Sequence, residues 1–84
     1  MHAERRSLTL RYFALLREQT GLEHEQITTT AATPRELYED LANRHAFTLP
    51  SNRIGVAVNN EFRTLDHFLN DGDQVVFIPP VAGG

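Results

Sequence analysis

Residues 70–84 read Asn70-Asp71-Gly72-Asp73, then Gln74-Val75-Val76-Phe77-Ile78, then Pro79-Pro80-Val81-Ala82-Gly83-Gly84. The first four are turn residues: glycine takes positive φ without steric cost, and Asn and Asp side chains hydrogen-bond nearby backbone. The next five predict a strand, with Val75 and Phe77 on one side and Val76 and Ile78 on the other. Two prolines then end it, favouring an extended exit that offers no amide donors. Two glycines without Cβ atoms finish the stretch as a tip slim enough to thread a narrow channel. A strand that runs into a stiff elbow and a diglycine constrains how the preceding residues can be arranged.

Working back along the chain, Glu61–Thr64 reads as a short strand, and Asn59-Asn60 supplies residues that tolerate positive φ for a tight hairpin turn. Ile54, Val56 and Val58 alternate in a further strand, preceded by a loop from Thr48 to Arg53. Thr33-Pro34-Arg35-Glu36 starts a helix: Thr at the N-cap, Pro at the first helical position and Glu three residues after the cap. Leu37, Leu41 and then Arg44 or His45 follow at helical spacing, with Tyr38 and Ala42 beside them. Earlier still, a strand is expected around Glu25–Thr30, with only Ile27 strongly apolar, and a helical turn over Leu15–Gln19 closed by Gly21. In Ser7–Phe13, Leu8, Leu10 and Tyr12 alternate with Ser7, Thr9 and Arg11, while Phe13 falls on the polar side. The expected class is α+β, a mixed sheet of about four to five strands with one main helix packed across one face. Its element order is that of the ubiquitin-like β-grasp, one option among several on periodicity alone.

The 84 residues are one domain's worth of chain, 40% hydrophobic, with a formal charge of −3. Scattered Arg residues and an acidic balance argue against nucleic acid as the main partner, because counterion release requires clustered positive charge. No apolar run approaches a bilayer span, and Met1-His2-Ala3-Glu4-Arg5-Arg6 is not followed by the apolar region of a signal peptide, so a cytoplasmic protein without membrane contact is expected. The absence of cysteine excludes a disulfide framework, a thiolate nucleophile and a Cys-based zinc site. His2, His24, His45 and His67 are dispersed without metal-ligand spacing, and Asp71 and Asp73 suit a turn better than a cation site, so no metal is expected.

Val58-Asn59-Asn60 through Leu65-Asp66-His67, Leu69-Asn70-Asp71-Gly72-Asp73-Gln74-Val75, and Phe77-Ile78-Pro79-Pro80-Val81-Ala82-Gly83-Gly84 together resemble the C-terminal half of the small, sulfur-carrying subunits of molybdopterin synthase. Tyr12-Phe13-Ala14, with Arg17-Glu18 and Gly21, is similar to the family's first strand and turn. Phe68 and Ala82 depart from it, where a small turn residue and Thr or Ser are expected. The resemblance implies a single β-grasp domain over residues 1–84, with residues 79–84 as a flexible, extended, reactive tail. It implies that Gly84 is adenylated and converted to a thiocarboxylate, presented by Gly83, Ala82, Val81 and Pro80. No permanently bound cofactor is implied, only a transient AMP ester and the thiocarboxylate. The implied partners are the large catalytic subunit, in a heterotetramer, an ATP-dependent adenylating (E1-like) enzyme and a sulfur donor. The chain then serves as the non-catalytic subunit of a sulfur transferase. Alternatives are a carrier for thiamine thiazole formation or tRNA thiolation, a ubiquitin-like modifier that forms isopeptides, and a plain binding module.

Strand parity suggests where partners dock. Val75 and Phe77 should face the core with Leu8, Leu10 and Tyr12, leaving Val76 and Ile78 outward on the side of Phe13. Phe62, just past the Asn-Asn turn, is expected to be exposed as well, the alternative being that it folds back over the core edge. Phe13, Phe62 and Ile78 are the expected anchors, with Val76 beside them and Arg17 as a polar contact.

Overall fold

The computed structural model describes residues 4–80. Its elements in chain order are β1 (Arg6–Tyr12), α1 (Ala14–Thr20), β2 (His24–Thr29), α2 (Pro34–His45), a 3-10 turn (Ser51–Arg53), β3 (Gly55–Val58), β4 (Glu61–Arg63) and β5 (Gln74–Ile78). The strands form one sheet in the order β2-β1-β5-β3-β4. Only β1 and β5 pair in parallel; the other three pairings are antiparallel. This mixed sheet, with α2 across one face, is the expected β-grasp.

The expected parity holds throughout. Leu8, Leu10 and Tyr12 of β1, Val75 and Phe77 of β5, and Val56 and Val58 of β3 are buried, and α2 adds Leu37, Tyr38 and Leu41 to the same core. Each such side chain contributes about 1.5 to 3 kcal/mol by leaving water. Leu16 of α1, Ala31, Ile54 and Leu69, the last just ahead of the final turn, complete the core. The Tyr38 ring meets Phe77 edge-on at 5.3 Å, and its hydroxyl donates to the Leu49 carbonyl at 2.7 Å.

Local chemistry explains the element ends. The Thr33 hydroxyl accepts from the Glu36 amide at 3.3 Å and donates to the Glu36 carboxylate at 3.4 Å, so both legs of the cap run through one oxygen. At the other end of α2 no glycine is available, and Ala46 takes the left-handed conformation at φ 56°, about 1 to 2 kcal/mol of backbone strain. Asn59 and Asn60 both have positive φ, 52° and 70°, as the β3–β4 hairpin requires. Gly72 has φ 87°. The Asp73 carboxylate is buried, accepting from the Asn70 amide at 2.8 Å and from Asn59 Nδ2 at 2.9 Å. Because Asn59 Oδ1 in turn accepts from the Gln74 amide at 2.9 Å, the two turns are locked to each other.

Several details differ from the sequence reading. Both β1 and β2 lie one residue earlier than expected, because Phe13 leaves the sheet to become the N-cap of α1. The β1–β2 pair is therefore joined through a seven-residue helix, closed as expected by Gly21 at φ 75°. β4 stops at Arg63, before Thr64, and the expected loop before β3 contains the 3-10 turn. Asp71 does not bond its own turn: its Oδ1 accepts from the Ser7 amide at 2.7 Å, tying the turn to β1.

Candidate functional site

The register of the sheet brings the expected docking residues together. Arg11 stands opposite Val76, Val76 opposite Ala57, and Ala57 opposite Phe62. Directly opposed residues share a face, so these four form one row across β1, β5, β3 and β4. That face is opposite the one α2 covers, because their neighbours Leu10, Tyr12, Val75, Phe77, Val56 and Val58 point into the core. Phe62 is 79% exposed, which settles it outside the core, and Val76 is half-buried among its neighbours.

A second row lies nearer the tail. Ile78 pairs with Gly55, whose missing side chain leaves one flank of Ile78 open. Tyr12 pairs with Phe77, so Phe13 comes level with Ile78 at the end of β1. Phe13 is 44% exposed, and the Arg11 guanidinium lies over its ring at 5.4 Å from the centroid. This contact covers one ring face with positive charge and holds the side chain where it is.

A hollow of about 520 Å³ opens where β5 ends. Phe13, Ala14 and Leu15 form one wall, Leu49 another, and Ile78, Pro79 and Pro80 the floor from which the chain leaves. The Tyr38–Leu49 bond fixes the second wall. Paired bonds between Gln19 and Thr48, 2.9 Å and 3.4 Å, hold it against α1. The root of the tail is thus set in an apolar cradle built from three parts of the chain. Val81, Ala82, Gly83 and Gly84 lie outside the described residues.

Arg17 does not join the sheet rows. It lines a separate depression with Ala14, Glu18 and Gly21 and sits 3.8 Å from the Glu23 carboxylate, so it flanks the cradle. Two exposed apolar side chains were not singled out as contacts from sequence: Phe68, 69% exposed on the segment leading to the last turn, and Leu22, just after α1. Ala57, the centre of the first row, was missed too; continuing the Val56-Ala57-Val58 alternation would have found it.

One polar cluster was also missed. Tyr12 Oη donates to Glu25 Oε1 at 2.8 Å, and His45 Nε2, which has no hydrogen-bond partner among the described residues, lies 3.8 Å from the same oxygen. The His45 ring stacks on Phe47 and meets Tyr12 edge-on. Burial, and then the bond to Glu25, push the Tyr12 phenol well above its usual value of 10.0. This cluster clasps the end of α2 to β1 and β2. Among the described residues, no three His, Asp or Glu side chains gather as a metal-ligand set, and no helix is long and apolar enough to cross a membrane.

A family model described as the ThiS family matches residues 10–84. The chain belongs to the ThiS family. Within it, the chain is 36% identical over 76 residues to the molybdopterin synthase sulfur carrier subunit of Escherichia coli (strain K12), covering 87% of this chain and 94% of that relative. The solution structure of the HVO 2177 protein of Haloferax volcanii superposes with a TM-score of 0.80 at 26% identity, covering 95% of this chain and 88% of that one. A complex of subunits 1 and 2 of molybdopterin-converting factor from Helicobacter pylori 26695 contains a chain matched with a TM-score of 0.60 at 25% identity, covering 93% and 99%. The ThiS-family match includes the diglycine and the whole sheet face described above.

Proposed function

We propose that this chain is the sulfur carrier subunit of molybdopterin synthase. The observation that carries the reading is spatial: the apolar rows through Val76 and Phe62 and through Ile78 and Phe13 lead to the cradle from which the diglycine stretch departs. One partner can grip that face and receive the tail in the same encounter. The name of the Escherichia coli relative and the two-subunit Helicobacter pylori complex support the same reading.

A carboxylate is a poor electrophile, so loading sulfur on it requires activation. In the proposed cycle an E1-like enzyme binds the face, and the Gly84 carboxylate attacks the α-phosphorus of ATP, releasing pyrophosphate and leaving an acyl adenylate. A sulfur donor then displaces AMP, and the product is a C-terminal thiocarboxylate. Carried into the active site of the large subunit, it gives its sulfur to cyclic pyranopterin monophosphate. Two sulfur atoms build one dithiolene, so two loaded carriers, or two loading cycles of one, serve each molybdopterin; the proposed assembly is a heterotetramer. The carrier contributes the reacting terminus and the docking face; Phe13, Phe62, Val76 and Ile78 make the apolar contact and Arg17 a flanking polar one. No cysteine is needed, and the chain has none. The reading is tested by mixing the chain, as a thiocarboxylate, with a molybdopterin synthase large subunit and the cyclic pterin: molybdopterin should form in proportion to carrier consumed. Transfer only to a thiazole precursor or to tRNA would assign it to another sulfur pathway.

A further inference from the structure

All eight basic residues of the chain are arginine; its 84 residues include no lysine as well as no cysteine. Three of these arginines lie toward the end of the sheet from which the tail leaves. Arg11 stacks over Phe13, whose ring walls the cradle. Arg17 shares a depression with Ala14, another cradle residue. Arg53 precedes Gly55 by two residues, and Gly55 pairs with Ile78, so it enters at the end of the sheet from which the tail leaves. All three are exposed. Four residues beyond Pro80 can span at most about 14 Å, which limits self-capture to side chains toward this end of the sheet.

We propose that this lysine-free, arginine-bearing surface keeps the activated terminus from acylating its own carrier, and so reserves it for a sulfur nucleophile supplied by another molecule. The inference rests on the sulfur-carrier reading given above. The reaction avoided is explicit. A neutral lysine amine would attack the Gly84 carbonyl carbon, a C–N bond would form, the bond from carbonyl carbon to the AMP oxygen would break with AMP departing, and the surplus proton would pass to water. A guanidinium attracts the anionic adenylate as an ammonium does, yet it stays protonated and offers no free lone pair. Exposed imidazoles such as that of His24 give acyl adducts that hydrolyse. Parallel pairing of β1 with β5 puts Arg6, the first residue of β1, at the pole of the sheet opposite Ile78.

The test uses the full chain carrying a C-terminal thioester of a small alkyl thiol, made from an intein fusion, as wild type and as the Arg17→Lys, Arg53→Lys and Arg35→Lys variants, each with a wild-type circular dichroism spectrum. Arg35 is the second residue of α2, about 15 Å along that helix from His45, whose neighbour Tyr12 lies at the tail end of the sheet. Followed by intact mass, wild type and Arg35→Lys should convert only to the free acid. Arg17→Lys and Arg53→Lys should form an internal amide, one water lighter than the acid, at least tenfold faster than wild type. Internal amide or covalent dimer from wild type at the rate of the Arg17→Lys variant overturns the proposal, as does the absence of any adduct from both near-root variants. Because the assay needs neither ATP nor an activating enzyme, a chain that resists self-capture here yet is never adenylated defeats the sulfur-carrier reading alone.

Discussion

Phe62 on β4 stands directly opposite Ala57 on β3, and that small partner leaves the phenyl ring 79% exposed. Replacing Phe62 by Asp should therefore remove an anchor from the partner interface and nothing from the core. The expected effect on binding a molybdopterin synthase large subunit is about a 30-fold rise in Kd, a hot-spot loss of about 2 kcal/mol. Stability should stay within about 0.5 kcal/mol of wild type. Calorimetric titration and thermal melts of the same preparations check both halves; unchanged affinity would remove Phe62 from the interface.

Asp73 is the reverse case, a buried carboxylate whose partners are both inside the molecule. Asp73→Ala would leave the Asn70 amide and the Asn59 side-chain amide without their acceptor. The expected cost is about 3 kcal/mol. Asp73→Asn keeps an acceptor and should lose less. Urea unfolding measures the two variants; a loss below about 1 kcal/mol for the alanine variant would mean that water replaces the carboxylate freely.

The Tyr12–Glu25 bond predicts an alkaline limit. The phenol is raised above 10.0 in the folded chain, so from about pH 10 upward the unfolded state releases this proton first and stability falls as pH rises. Below that pH the group is neutral in both states and contributes no slope. Burial raises Tyr38 too. Near-ultraviolet titration should therefore show tyrosinate appearing together with unfolding. Tyr12→Phe should cost about 1 kcal/mol at neutral pH and flatten the alkaline slope. Normal titration of both tyrosines in a chain that remains folded contradicts this.

The fold was legible because its strongest signals were local. The β1 and β5 alternations, the Thr33-Pro34 helix start and the Asn59-Asn60 and Gly72 turns each fix short-range geometry, and the structure keeps all of them. β2 was faint because it is an edge strand with Ile27 as its one strongly apolar residue, and its position comes from pairing with β1. Outward parity at Val76, Ile78 and Phe13 followed from alternation, but the rows did not. That Ala57 bridges Val76 and Phe62 depends on two registers, which no single segment encodes. Leu49 as a wall of the cradle, Asp71 bonding Ser7 and His45 approaching Glu25 are likewise long-range placements.

The central claim, that the terminus carries sulfur, is tested most directly by intact mass after incubation with ATP, a sulfur donor and an E1-like adenylating enzyme shown to act on another carrier. The account predicts a gain equal to replacing one oxygen by sulfur, mapped to Gly84 and lost when Gly84 is deleted. An unchanged mass under those conditions would contradict it.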